Sequence, residues 1–220
     1  KLARSLLKDS WPLILSGLVI SIYMKVDQIM IKEMISTEAV GQYAAAVKIS
    51  EAWYFIPMVI ASSLFPAIIN AKKQSETLYY TRLQRLYDLM VWMAIAIALP
   101  MTFLSDWVVN LLYGEQYSQA GSVLMIHIWA GVFVAVGVVQ GRFWVTNNLQ
   151  REQFIITLAC AILNVILNVI LIRLLGVYGA AIATLISYAM GAMIFPLIFK
   201  EVRPMMKMTY RCFLIFRHMK

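Results

Sequence analysis

Residues 154–199 read FIITLACAILNVILNVILIRLLGVYGAAIATLISYAMGAMIFPLIF. Arg173 is the only charge in this stretch, and Gly176 divides it into two apolar runs, 154–175 and 177–199. A bilayer core of about 30 Å is crossed by roughly 20 apolar residues in helical form. Each run is long enough to cross, and the turn between them is too short for anything but an antiparallel return. Two transmembrane helices meeting at Gly176 are the expectation.

Working upstream, four further stretches qualify: 11–34, 40–69, 86–107 and 119–145. The second is too long to stand upright, and Pro57 and Pro66 lie in it, so tilting or kinking is expected there. Pro100 and Pro196 can bend the third and sixth spans. Asp9-Ser10 ahead of Trp11-Pro12 offers an N-cap with proline in the first turn. The expected fold is all-α, a polytopic membrane protein of six transmembrane helices. It has a basic lead-in at 1–10, a transmembrane unit at 11–199 and a basic tail at 200–220. The tail from 205 on is expected to lie on the membrane surface, with 213–216 as its apolar stripe, or to stay disordered.

Composition agrees. Of 220 residues 62% are hydrophobic and 14% charged, and the mean hydropathy is +0.77. Soluble domains are about half apolar and about a quarter charged, so this chain needs lipid around it. The two cysteines, Cys160 in an apolar run and Cys212 in the tail, imply no disulfide framework. The chain begins at Lys1 rather than Met and shows no leader pattern, so it reads as a piece of a longer reading frame.

Lysine and arginine set the orientation. With six spans both termini share one side, and that side holds 15 of the 19 basic residues; the opposite loops hold only Lys32 and Arg173. Positive loops stay in the cytoplasm, so both ends of the chain are expected there. The net charge of +8 is thereby explained by anionic headgroups, with no nucleic acid partner. His127 and His218 stand on different elements, which excludes zinc spacing. No phosphate loop or nucleophile turn is present. The loops are too short and too poor in acids to hold an active site, so no enzyme activity, cofactor or metal is implied.

The charges inside the spans carry the functional reading. Counted from the turn at 36–39, Asp27 and Lys48 lie roughly 10 to 12 Å deep, and Lys25 and Glu51 roughly 14 to 17 Å deep. A charge at a lipid-facing helix centre costs about 2.5 to 3.5 kcal/mol. Gly17, Ser21, Lys25, Gln28 and Lys32 form one stripe at helical spacing, and Gly41, Ala44, Lys48 and Glu51 another. Asn164 and Asn168, four residues apart, share a face. These stripes suit a bundle with a hydrated interior. Lys25, Lys48, Gln28, Ser21, Asn164 and Asn168 are the candidate substrate-facing residues, and Asp27, Glu51 and His127 the candidates for ion coupling or charge pairing. The plainer alternative is two structural ion pairs, Lys25–Glu51 and Asp27–Lys48. Gly137 and Gly141, and the series Ala183, Ser187, Gly191, read as close helix contacts.

Several motifs then converge. Trp11-Pro-Leu-Ile-Leu-Ser-Gly, Asp27-Gln-Ile-Met-Ile, Glu38-Ala-Val-Gly-Gln-Tyr-Ala-Ala-Ala and Trp53-Tyr-Phe-Ile-Pro come in order. Leu112-Tyr-Gly-Glu-Gln-Tyr and Gly176-Val-Tyr-Gly-Ala-Ala-Ile-Ala-Thr follow. In order and spacing, over essentially the whole chain, they resemble the second half of bacterial polysaccharide flippases. The nearest resemblance is to the O-antigen flippase group of the polysaccharide transport family, in the superfamily of multidrug exporters. That resemblance implies one six-helix lobe of a two-lobe, twelve-helix transporter. It implies movement of an undecaprenyl-pyrophosphate-linked oligosaccharide from the inner to the outer leaflet by alternating access, coupled to an ion. The implied location is a bacterial inner membrane, and the implied partners are that lipid-linked substrate, bilayer lipid, an N-terminal six-helix half and polysaccharide polymerase machinery. Lys25 and Lys48 would attract phosphate. A drug or cation antiporter of the same superfamily, and a non-transporting subunit of polysaccharide assembly, are the competing readings.

Overall fold

The stretch 154–199 folds around an antiparallel hairpin, α7 (Gln150–Leu175) and α8 (Val177–Met193), and a 3-10 turn at Phe195–Ile198 ends it. Gly176 makes the hairpin turn at φ +61, a conformation that favours glycine. The helices approach so closely that a Cβ on Gly179 would meet the Leu171 carbonyl, and one on Gly191 would meet Cys160 Sγ. Small residues let α7 and α8 touch backbone to backbone, as the series ending in Gly191 foretold.

The computed structural model describes residues 2–214, with side chains from residue 11 onward. Ahead of the hairpin come α1 (Leu2–Met34), α2 (Thr37–Ala52), α3 (Phe55–Gln74), α4 (Glu76–Tyr113), α5 (Ser118–His127) and α6 (Ala130–Thr146). After it comes α9 (Arg203–Cys212). No strand occurs among the described residues. Five helical segments are long and apolar enough to span a membrane, α2 with α3 counting as one, and the bent pair α5 and α6 makes the sixth. The chain is an all-α polytopic membrane protein.

Cross-links show the helices alternating in direction. At the basic end Lys72 Nζ, from the end of α3, donates to Thr146 O and Asn147 Oδ1 after α6, each at 2.9 Å. There Arg82, near the start of α4, donates to Ala67 O at 2.9 Å. At the other end Gln42 joins the start of α2 to the 114–118 loop, donating to Gln116 O at 2.7 Å.

Several boundaries differ from the hydropathy reading. α1 starts at Leu2, so Pro12 lies inside the helix and Asp9-Ser10 does not begin it. α4 starts at Glu76 because Tyr79, Leu83, Leu86 and Tyr87 are buried at helical spacing while Thr81, Arg82 and Arg85 face out. The span 40–69 is two helices, parted at Trp53-Tyr54, four residues ahead of Pro57, which has no N–H to continue the ladder. The span 119–145 is also two helices, bent by 44° at Ile128-Trp129.

The tail takes neither expected form between 203 and 212. α9 sets Met205, Met206, Met208 and Cys212 against the basic end of the bundle and turns Arg203 and Lys207 outward. Gln140 Nε2 donates to Thr209 Oγ1 at 3.3 Å, and Gln84 Nε2 to Met208 O at 3.2 Å. An amphipathic helix whose apolar stripe finds a protein surface has no need of lipid. Within the stripe expected at 213–216, residues 215 and 216 lie outside the described residues.

Candidate transport site

Four helices meet at one carboxylate. Asp27 on α1 is 4% exposed. Its Oδ2 accepts from Tyr43 Oη of α2 at 2.9 Å and from Thr184 Oγ1 of α8 at 2.7 Å. Its Oδ1 accepts from Asn168 Nδ2 of α7 at 2.6 Å. Asn168 Nδ2 also donates to Asn164 Oδ1 at 3.0 Å. The height of each group follows from chain register. Asp27, Tyr43, Asn168 and Thr184 each stand six or seven residues from the same end of their helices, a depth of roughly 10 Å. Asn168 Oδ1 and Asn164 Nδ2 find no hydrogen-bond partner in this arrangement. The cluster therefore surrounds a carboxyl group with neutral donors alone, with spare polar capacity beside it.

Asp27 and Lys48 do not pair. Asp27 points into the bundle, whereas Lys48 is exposed on the outer side of α2. Lys25 is exposed on α1, Glu51 is half-buried on α2, and Lys25 lies within electrostatic reach of Glu51. His127 is buried, with Nδ1 2.9 Å from Ser50 Oγ and its ring at the edge of Tyr43, 6.2 Å between centroids. Ser50 Oγ also reaches the His127 carbonyl at 3.4 Å, beside the α5–α6 bend. His127 thus braces two broken helices.

The exposed face of α1 has two halves. Ser21, Lys25 and Lys32 are exposed and Gln28 half-exposed along one side; Leu18, Ile22 and Ile29 are exposed along the other, Ile22 at 67%. α2 turns Lys48 outward and Glu51 partly so, one turn apart. The candidate residues thus separate into a buried cluster (Asp27, Asn164, Asn168, with His127 nearby) and an open polar face (Ser21, Lys25, Gln28, Lys48, Glu51). Sequence reasoning missed Tyr43 and Thr184 as members of the cluster. Both stood in the quoted motifs, Tyr43 after Gln42 and Thr184 at the end of the last.

A third feature lies toward the basic end. α1 packs along α2 but parts from α3 beyond the Trp53-Tyr54 break. A cavity of about 480 Å³ opens between α1, α7 and α8 on one side and α3 and α6 on the other. Ile20, Met24, Met58, Phe133, Val138 and Ile156 line it, with the rings of Tyr23, Tyr54 and Tyr188. Gly137 borders this cavity, and neither it nor Gly141 has an atom within 4 Å of where a Cβ would stand. The G-x-x-x-G at 137–141 is a wall of open space, not a helix contact.

Comparison with known proteins points one way. A family described as polysaccharide biosynthesis protein matches residues 1–72. The chain is 26% identical over 198 residues to the probable low-salt glycan biosynthesis flippase Agl15 of Haloferax volcanii, covering 88% of this chain and 41% of that protein. It is 30% identical over 178 residues to the probable flippase AglR of the same organism, covering 78% of this chain and 37% of that protein. The chain spans about two-fifths of the length of these curated relatives. Along most of its length this membrane protein is therefore similar to two probable flippases, one of them of low-salt glycan biosynthesis.

Proposed function

We propose that this chain is one six-helix lobe of a flippase for a lipid-linked glycan, working by alternating access and coupled to an ion. The observation that carries the reading is the open polar face of α1 and α2. Lys25 and Lys48 are exposed at membrane depth, with the half-buried Glu51 within electrostatic reach of Lys25, and hydrocarbon against either would cost about 2.5 to 3.5 kcal/mol. Water and a second protein wall, the N-terminal half, relieve that cost. A cleft so formed shelters sugar hydroxyls and phosphate, neither of which crosses hydrocarbon unaided. Ser21, Lys25, Gln28 and Lys48 face the cleft in this reading, with the lysines drawing phosphate and Glu51 moderating their charge.

Asp27 supplies the coupling. An ionised carboxylate among neutral donors and packed helices gains stability from a bound proton or a small cation. The oxygens of Thr184, Asn164 and Asn168 stand beside it for either. Occupancy of this site would change how α1 and α2 hold to α7 and α8.

The finer substrate is an undecaprenyl-pyrophosphate-linked O-antigen repeat unit, moved from the inner to the outer leaflet of a bacterial inner membrane. It rests on the motif resemblance, and the basic end is then cytoplasmic. Polysaccharide polymerase machinery is the matching downstream partner. The test is the Lys25→Ala, Lys48→Ala double variant of the full-length protein, in a strain lacking its own flippase. Surface glycan is expected to fall at least tenfold at unchanged protein level. Undiminished glycan would remove the cleft assignment and favour a non-transporting subunit. Restored drug resistance without glycan would favour the antiporter.

A further inference from the structure

We propose that the cavity between α1, α7 and α8 and α3 and α6 is a slot for one apolar chain of a lipid phosphate, with Arg142 holding the phosphate. The slot is distinct from the lysine-bearing face and from the Asp27 cluster, and nothing in the flippase reading requires it. Its length is the first argument. On α6 the lining runs from Phe133 to Trp144, a rise of roughly 16 Å at about 1.5 Å per residue. That is about half of the ~30 Å hydrocarbon core. The slot therefore spans a single leaflet, the one at the basic end. Its volume of about 480 Å³ lies within the range of about 300 to 1,000 Å³ for small-ligand pockets.

Chemistry is the second argument. The walls are mostly aliphatic and aromatic, and two methionines, Met24 and Met58, can adapt to a flexible chain. On the side where α3 faces α6 the lining ends at Met58 and Val138, while on α6 it continues to Trp144. Arg142 lies one turn beyond Val138 on α6, and Ser62 one turn beyond Met58 on α3, where Arg142 donates to Ser62 Oγ at 2.9 Å. The guanidinium sits over the Phe65 ring, 5.0 Å from its centroid. Its Nε is buried without a hydrogen-bond partner. Among the described residues its contacts, phenylalanine and serine, carry no compensating charge. A planar donor short of an acceptor, beside an apolar slot, fits a phosphate oxygen.

The ligand chemistry has two sources, a bilayer phospholipid or a polyprenyl phosphate. The experiment uses the full-length wild-type protein in nanodiscs doped with one of two photoreactive probes. One is a phosphatidylglycerol with a diazirine in its acyl chain, the other a polyprenyl phosphate with a diazirine in its chain. Crosslinks from either probe are expected to map to 133–144 and 153–160. At least tenfold preference for one probe, in competition, identifies the source. Val138→Trp, which fills the slot, is expected to cut the yield at least tenfold. Arg142→Gln is expected to abolish the advantage of the phosphate over an uncharged lipid with the same chain. Crosslinks confined to outward residues such as Ile162 and Ile166, in the wild type, would overturn the proposal without any variant. Equal labelling of wild type and a folded Val138→Trp would also overturn it. The lysine variants leave this crosslink unchanged, so the slot and the flippase reading fail separately.

Discussion

Asp27 shows how one side chain can hold four helices. Three donors on three other helices converge on it, so removing one leaves the carboxylate under-satisfied. Such a loss costs about 1 to 3 kcal/mol, more when the group is charged. Tyr43→Phe and Thr184→Val are each expected to lower the thermal unfolding midpoint of the protein in nanodiscs. Asp27→Asn keeps the shape but loses the charge. It is expected to fold, and to remove the dependence of flipping on the ion gradient while leaving gradient-independent exchange. A gradient response equal to wild type would place the coupling elsewhere. The height of Asp27 was legible because residue count along a helix gives depth, and the shared face of Asn164 and Asn168 because four residues make about one turn. Direction around the axis was harder to use. Asp27 lies two residues, about 200° of helical turn, from Lys25, so the two charges point to opposite sides. The matched depths of Asp27 and Lys48 concealed this.

At the scale of elements, apolar length revealed the spans, and basic residues marked which ends lie together. The kink ahead of Pro57 was legible from the proline, but the break at Ile128-Trp129 was not. A helix interrupted for two residues keeps the composition of an intact one, and Ile128-Trp129 carries neither glycine nor proline. α9 was hidden for another reason: its stripe of Met205, Met206, Thr209 and Cys212 reads equally as a surface helix. Burial pushes the Cys212 thiol up to about 12, with Asp88 adding to the rise. Thiolate is the reactive form, and it gains appreciable population only as pH approaches that value. Cys212 is therefore expected to stay unlabelled by maleimide at pH 7 to 8 while α9 is docked. Met206→Asp, which buries a charge in the seam, should release the helix and make the label go on. Labelling of Cys212 in the otherwise unaltered protein at pH 7 would show that α9 does not stay down.

On the scale of the whole molecule, the outer surface of α1 divides between two solvents. Ser21 and Ile22 are neighbours in sequence, both exposed, yet about 100° apart around the helix. Ser21→Lys joins the polar half and is expected to leave membrane insertion and yield near wild type. Ile22→Lys places a charge on the apolar half and is expected to cost about 2.5 to 3.5 kcal/mol by insertion scales, with a several-fold loss of inserted protein. Equal yields would mean that α1 meets a single environment. These 220 residues alone, reconstituted as a monomer, are expected not to flip lipid-linked glycan, since a cleft needs two walls. The breaks in the two bent spans also meet at this scale. Ser50, Tyr54 and Pro57 from one and Ile128 and Gly131 from the other border one void of about 20 Å³, and Ser50 bonds across it to His127. Neither joint can open or flatten without disturbing its opposite number. The two kinked rods are geared together, and a tug on the end of either is transmitted to its mate at mid-height.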